Sequence, residues 1–328
     1  MDKVYVVTGV SGHVGNTIVR KLLNRGAEVT GLRYPGEPDY FPQIRTITGD
    51  LLKKETLIPL FQTEKKIIVI HSAGYVSVRS DEEARLWNVN VVGTRNMIEL
   101  SLQYHVVKFI YISSVHAIPE KEELITEVTS FDAGQVTGAY AKSKAVATQS
   151  VLDAVGVGLP ACVVHPSGII GPYDYKNGQT TSTLKAFMQG KLLMGLMGGY
   201  DFVDVRDVAN GVLACAKKGK VGECYILSGH FYTIKELLDQ MGMITGRKPP
   251  KIYLKGCDLR WVAGLVEKCS KLFRRSTIFT PYTLYTLDSC AHFSCEKAKR
   301  ELGYHSRPME VTLRDTVKWI RIEIFHLK

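Results

Sequence analysis

The sequence predicts an α/β fold, a doubly wound parallel sheet with a smaller C-terminal substrate lobe, on three observations. Short apolar runs rich in β-branched residues alternate with segments of helical periodicity. The first run, Val4 to Val7, stops at a glycine-rich turn just before a helical segment. Later runs end in small or polar residues, and sheets of this class bind ligands beyond the carboxyl ends of their strands.

The opening stretch, residues 4–15, reads VYVVTGVSGHVG, with a helix expected from His13. Gly9, Gly12 and Gly15 let the backbone turn sharply and approach a pyrophosphate with no Cβ in the way, while the free amides and positive dipole end of the helix meet its charge. The spacing is three-then-three rather than Gly-x-Gly-x-x-Gly, and an ordinary strand-to-helix turn is the plain alternative. A second strand, Glu28–Leu32, is followed by Arg33 where a dinucleotide's adenosine ribose lies. A carboxylate there accepts the 2′-hydroxyl, whereas arginine suits a 2′-phosphate, so Arg33 argues for NADP over NAD unless it is an exposed loop residue. Ile44–Thr48 is a third strand; Asp50 after it is expected to cap the following helix, to accept from the adenine amino group, or both.

Ile67–Ile70 forms a fourth strand and leads into His71-Ser72-Ala73-Gly74, whose small residues let a cofactor lie against the backbone. A long helix is expected from about Asp81 to Tyr104. Gly93 and Thr94 in its middle are costly there unless something packs closely against them. Val106–Ile112 is the fifth strand and delivers Ser113 and Ser114 at its carboxyl end; Ala161–His165 is the sixth and ends in Pro166-Ser167-Gly168. Beyond Gly171-Pro172 the alternation fades. Asp204–Lys217 and Tyr225–Leu227 read as one more helix and strand of the sheet. The expected division is a dinucleotide-binding unit over 1–171, completed by about 201–228, with 172–200 and 229–328 forming the substrate lobe. No internal repeat or low-complexity tract interrupts this plan.

With 328 residues and 45% hydrophobic content the chain can bury a large core. No apolar run approaches the roughly 20 residues of a membrane span, and a strand begins by residue 4, so a cytoplasmic location is expected. Seven scattered cysteines (Cys162, Cys215, Cys224, Cys257, Cys269, Cys290 and Cys295) suit reduced thiols. Cys290, His292 and Cys295 lack a fourth ligand at suitable spacing, so no metal site is assigned. The net charge of +10 is concentrated between Arg247 and Arg275, and with no recognition motif or aromatic platform beside it, nucleic acid is a poor candidate partner.

Tyr140 and Lys144 stand four apart in a helical segment, so both project from one face. A phenol is a poor acid or base near neutrality until a neighbouring ammonium stabilises its anion; Lys144 is placed to do this and to grip the ribose hydroxyls. Ser114, at a strand end nearby in the expected fold, can donate to the same substrate oxygen. Tyr-x-x-x-Lys alone is common on surface helices. Its weight here comes from the glycine loop and the serine at a strand end.

These residues, with TGVSGHVG, GDL, HSAG, NVNVVGT, ISSV, YAKSK, HPSGIIGP, FVDVRDVA and FSCEKAKRELGYHSRP in order, make nearly the whole chain resemble the extended short-chain dehydrogenases/reductases of the Rossmann fold, the epimerase/dehydratase superfamily. The resemblance implies that Tyr140 is the general acid/base, that Lys144 lowers its pKa and binds the ribose, that Ser114 polarises the carbonyl, and that Asn90 lies near the proton relay. It further implies cofactor contacts from Gly9, Ser11, Gly12, His13, Val14 and Gly15 in the phosphate loop and from Arg33, Asp50 and Leu51 around the adenosine. Ser72, Ala73 and Gly74 would line the cleft, and Pro166, Gly168 and Ile169 would form the turn beside the nicotinamide. His13 and Asn90 also read as a helix-start surface residue and a packing residue. Oligomeric state stays open, although helices near 81–104 and 140–156 pair as homodimers in many members of that family.

Nucleotide-sugar members usually carry an arginine before the Asp-Phe-Val of GGYDFVDVRDVA, and this chain has Tyr200. That substitution, with Arg33, tilts the resemblance toward the dihydroflavonol 4-reductase and 3β-hydroxysteroid dehydrogenase branch, which acts on carbonyls or alcohols of bulky apolar molecules. The alternatives are a nucleotide-sugar epimerase or dehydratase holding NAD tightly, and a non-catalytic NADPH sensor. In Asp258–Arg275, Leu259, Val262, Val266, Cys269 and Phe273 recur at helical spacing with basic residues off the stripe, which suits a core helix, a flap over the pocket, or a helix resting on anionic membrane.

Overall fold

The structure, a computed structural model, describes residues 3–77, 79–120, 123–255, 281–289 and 291–326. Fourteen strands are described: β1 (Lys3–Thr8), β2 (Glu28–Arg33), β3 (Arg45–Thr48), β4 (Lys66–His71), β5 (Lys108–Ile112), β6 (Leu124–Ile125), β7 (Ala161–Pro166), β8 (Gly168–Ile170), β9 (Met194–Leu196), β10 (Gly199–Asp204), β11 (Cys224–Leu227), β12 (His230–Thr233), β13 (Ile252–Leu254) and β14 (His292–Phe293). The described helices are α1 (His13–Leu23), α2 (Glu83–Trp87), α3 (Gly93–Gln103), α4 (Ala139–Gly156), α5 (Gln179–Met188), α6 (Val205–Lys218), α7 (Ile234–Thr245), α8 (Pro281–Asp288), α9 (Glu296–Leu302) and α10 (Met309–Trp319).

Seven strands form one sheet in the order β3-β2-β1-β4-β5-β7-β11, and every pairing in it is parallel. Strand alternation divides the core in two. Val4, Val6, Val69, Phe109, Tyr111 and Val163 face α3 and α4, while Val7, Ile68, Ile70, Ile110 and Val164 face α1 and α6. A sheet covered on both faces explains why its strands read as continuous apolar runs. Winding reverses between β1 and β4, the crevice where ligands bind in such folds. The glycine loop and Ser72–Gly74 both open into it.

The expected helix over 81–104 is interrupted. A 3₁₀ turn at Ser80–Glu82 and the short α2 are followed by a π turn at Asn88–Val92, and only then does α3 begin. Gly93 is required by packing: a Cβ there would lie 2.9 Å from the Leu51 Cβ. Thr94 binds the buried His71 ring, Oγ1 to Nε2 3.1 Å, and His71 Nδ1 is 2.8 Å from Thr8 Oγ1. Burial pulls the His71 pKa down to about 3, so the ring is a neutral link tying β1, β4 and α3 together.

A second layer contains a three-stranded sheet, β12-β10-β8, and two small strand pairs, β13-β9 and β14-β6. Gly168, expected in a turn, begins strand β8 instead, because Gly168–Ile170 pairs with Phe202–Asp204. Asp204 caps α6 by accepting from the Arg206 amide at 2.7 Å, and the Arg307 guanidinium grips Asp207, Nη2 to Oδ1 2.6 Å. Among the described residues no helix is long and apolar enough to cross a membrane. The segment Asp258–Arg275, and Cys257, Cys269 and Cys290, lie outside the described residues.

Candidate active site

The phosphate cradle is built from backbone. Gly9 has φ +71°, its carbonyl accepts from the Gly12 amide at 2.9 Å, and a Cβ on Gly15 would lie 2.2 Å from that same carbonyl oxygen. α1 starts with no side-chain cap and no acidic residue in its first turn, so the amides at His13, Val14 and Gly15 present positive potential toward the crevice. A dinucleotide pyrophosphate fits this arrangement. Across from it, the Ser72 and Ala73 amides donate to Thr8 Oγ1 at 3.1 and 3.0 Å, which fixes the loop after β4. Gly74 lies against Asn90, whose Oδ1 would stand 3.2 Å from a Cβ there.

Arg33 sits at the end of β2, donating Nη1 to the Glu37 carbonyl at 2.6 Å and Nη2 to Thr48 Oγ1 at 3.2 Å. Two residues that the sequence did not single out complete this corner. The Glu37 carboxylate is paired with Lys176, from the chain after β8. Burial pushes the Glu37 carboxyl up, but the hydrogen bond and charge of Lys176 oppose it, and the group is held below the usual carboxylate range. Residues 172–177 thus run along the outer edge of the crevice. The Pro172 carbonyl meets His13 Nε2 at 2.9 Å, Tyr173 lies under the Arg20 guanidinium at 4.5 Å, and Tyr175 stacks on Tyr40 with ring centroids 4.5 Å apart. His13 is therefore a part-buried loop anchor rather than a surface residue; burial lowers its pKa against the pull of Asp174.

Asp50 departs from its expected capping role. It accepts from the Leu52 amide at 3.0 Å in a tight turn, and the following 3₁₀ helix, Lys54–Leu60, begins after Lys53. The Leu51 side chain is buried on Gly93. Asn90, carried inward by the π turn, clamps the backbone of Tyr75: Oδ1 accepts from its amide at 2.8 Å, and Nδ2 donates to its carbonyl at 2.9 Å and to Ser143 Oγ at 3.0 Å. In this geometry Asn90 positions the loop after β4 and ties it to α4.

Ser114 and Tyr140 are brought together. Ser114 follows β5 and accepts from the His116 amide at 3.3 Å, which leaves its hydroxyl hydrogen for a second partner. Burial raises the Tyr140 pKa to about 12, and a hydrogen bond with Ser114 draws it back from a still higher value. Lys144, one turn further along α4, is buried, donates Nζ to the Ile112 carbonyl at 2.7 Å and lies over the Tyr111 ring at 4.5 Å. Burial lowers its pKa to about 7. The Ser114 hydrogen bond opposes the effect of burial on the phenol, and an anion arriving near Lys144 would restore the lysine's charge.

That depressed pKa has a measurable consequence. Between about pH 7 and 10.5 the unfolded chain holds a proton at Lys144 that the folded protein has released, so folding stability rises with pH across this window. Lys144→Met is expected to remove that rise, flattening the difference between pH 7 and pH 9 by about 2 kcal/mol. Urea titrations of both proteins at the two pH values measure it, and parallel pH dependence would contradict a depressed lysine.

Above Tyr140 the wall is aromatic. His116 stacks on Tyr200 with centroids 5.5 Å apart, accepts or donates to its hydroxyl at 3.0 Å, and meets Tyr140 edge-on at 6.0 Å. Burial holds His116 near a pKa of about 4, so it is neutral. Gly168 lies beneath Tyr200, where a Cβ would come within 2.8 Å of the ring, and Phe202 and Phe293 pack edge-on against it. Pro166 is hydrogen-bonded strand opposite Leu227, and Ile169 is part-buried in the core facing α1 and α6.

Fold and site together define a nicotinamide-dinucleotide oxidoreductase. Residues 5–228 match the NAD dependent epimerase/dehydratase family. The chain belongs to that family, in its extended short-chain dehydrogenase/reductase form, and is an NAD(P)-dependent oxidoreductase. It is similar to sterol demethylase protein B of Methylococcus capsulatus, 27% identical over 96% of this chain and 98% of that protein. A 3-beta-hydroxysteroid dehydrogenase of Mycolicibacterium neoaurum is 27% identical over 91% of this chain and 86% of its own. The crystal structure of gox2253 superposes with a TM-score of 0.84 at 32% identity, covering 99% of each chain.

Proposed function

We propose that the protein moves hydride between NADP(H) and a ketone or secondary alcohol on a bulky, hydrophobic ring compound. The observation that carries this reading is the Ser114–Tyr140 pair set beneath the His116–Tyr200 aromatic wall at the carboxyl ends of the central strands. The bound dinucleotide supplies the hydride. In reduction, Ser114 donates a hydrogen bond to the carbonyl oxygen, and Tyr140 gives its proton to the oxygen as negative charge develops there. Lys144 holds the ribose hydroxyls and, once charged, stabilises the phenolate left behind. The lobe formed by 172–200 and 229–328 receives the substrate's apolar body, and relatives named for steroid chemistry support that choice. Incubation with NADPH and a panel of steroid and flavonoid ketones tests the proposal. Turnover of a UDP- or dTDP-sugar instead, with nicotinamide absorbance retained through gel filtration, would replace it by an epimerase or dehydratase holding NAD.

The proposed preference for NADP rests on Arg33, held by the Glu37 main-chain carbonyl, and on Lys176, paired with the Glu37 carboxylate: two cations beside one carboxylate. A 2′-phosphate brought to this corner meets a net positive field. Arg33→Asp is expected to weaken NADPH binding by about a hundredfold and NADH binding far less, because attraction becomes repulsion. Lys176→Met should act in the same direction but by a few-fold, since that lysine is half-exposed. Fluorescence titration with each nucleotide measures both effects; a wild type that prefers NADH removes the 2′-phosphate assignment.

A further inference from the structure

Among the described residues, the outer face of the second lobe combines cationic charge with exposed apolar surface. β9 and β13 pair in parallel with Met194 opposite Ile252, and the Met197 amide closes the pair on the Leu254 carbonyl at 2.8 Å. The turn after α7 folds onto the same edge, bringing the Arg247 guanidinium over the Gly190 backbone. Leu193 is 77% exposed, Met243 on the last turn of α7 is 78% exposed and Ile252 is 56% exposed. Around them stand Lys191, Arg247, Lys248, Lys251 and Lys255, all exposed, and no acidic residue occurs in 189–200 or 240–255. A groove of about 810 Å³ between α7 and α10 continues the face, with Met243, Val317 and Ile322 along it and Lys318 and Arg321 beside them.

We propose that this face docks on the headgroup layer of an anionic lipid bilayer. Charge complementarity selects the partner: the strand pair and the turn after α7 carry cations with no acid among them, and in the groove Glu310 is paired with Arg314 beside Lys318 and Arg321, so the face is net positive. Such a surface is attracted to a sheet of phosphates, and the attraction falls off within a Debye length. The apolar groups favour lipid over an acidic protein. Leu193, Met243 and Ile252 are flexible or branched apolar side chains more than half exposed, which enter an acyl boundary without shape complementarity, whereas a protein partner needs a well-packed patch. Lysine and arginine stems bury alongside them while their heads stay with the phosphates. The inference does not depend on the substrate or on the choice of nucleotide.

Flotation of the full chain with phosphatidylcholine vesicles, with and without about 30% phosphatidylglycerol, tests it. Binding is expected to the anionic vesicles only, falling at least about tenfold between about 25 mM and 500 mM salt. Leu193→Glu combined with Met243→Glu should lower that binding by about tenfold or more, while an unchanged circular dichroism spectrum and urea midpoint confirm that the variant is folded. Equal flotation of variant and wild type, or no flotation at low salt, would overturn the assignment. Retention on immobilised polyglutamate without vesicle binding would overturn it too, in favour of an acidic protein.

Discussion

Tyr140→Phe is expected to lower turnover by about 10²–10⁴-fold while leaving NADPH affinity within about twofold of wild type. The substitution removes only the phenolic oxygen, so the ring keeps its edge-on contact with His116 and its place on α4. What is lost is the proton that reduction must deliver to the substrate oxygen. The Tyr140 pKa of about 12 keeps the phenol protonated throughout the neutral range, which is the form an acid needs. Ser114 alone would still hold the oxygen, and for that reason the variant should retain substrate binding in KM while losing kcat. Steady-state kinetics with the best ketone of the panel, beside a nucleotide fluorescence titration, separates the two quantities. Activity within tenfold of wild type would remove Tyr140 from the chemistry.

The second large effect is expected at the phosphate cradle. Gly15→Ala places a Cβ 2.2 Å from the Gly9 carbonyl oxygen and 2.8 Å from its carbon, both backbone atoms that cannot swing aside. The turn has to open, which moves the amides at the start of α1 away from the pyrophosphate position. Dinucleotide affinity should fall by about a hundredfold or more, with a loss of about 1–3 kcal/mol in stability from the overpacked turn. Gly26→Ala is the control. Gly26 has φ +67° but nothing within 4 Å of its added Cβ, so it should cost stability without touching nucleotide binding. Equal losses of affinity in the two variants would mean that the cradle is not where the cofactor's phosphates sit.

The sheet was legible from residue patterns because its cause is local. Val4, Val6 and Val7 are buried on both sides of one strand, and a run of that kind reads as a central strand wherever the chain later carries it. The glycine loop was legible for a related reason. Gly9 needs a positive φ and Gly15 tolerates no Cβ, and both requirements are written into residue type within six positions of one another. Tyr140 and Lys144 belong to the same class, since helical geometry alone sets them on one face.

Other features depended on which distant segments meet. The wall over the site joins His116 to Tyr200, 84 residues away, and the corner beside Arg33 joins Glu37 to Lys176, 139 residues away. No periodicity links such pairs. From spacing, Lys144 looked like the ammonium that stabilises the Tyr140 anion; burial brings its pKa to about 7. Asn90 matched a motif, and a π turn decided that its amide would clamp Tyr75. Gly168 looked like part of a turn, and pairing with β10 made it strand. The sequence by itself determined the strands of the seven-stranded sheet, the cradle and the order of the reactive side chains, because short-range sterics and alternation depend only on neighbours along the chain. The tertiary structure decided charge states, the lining of the pocket and the cofactor corner, because desolvation and hydrogen bonding depend on what packs against a group from elsewhere.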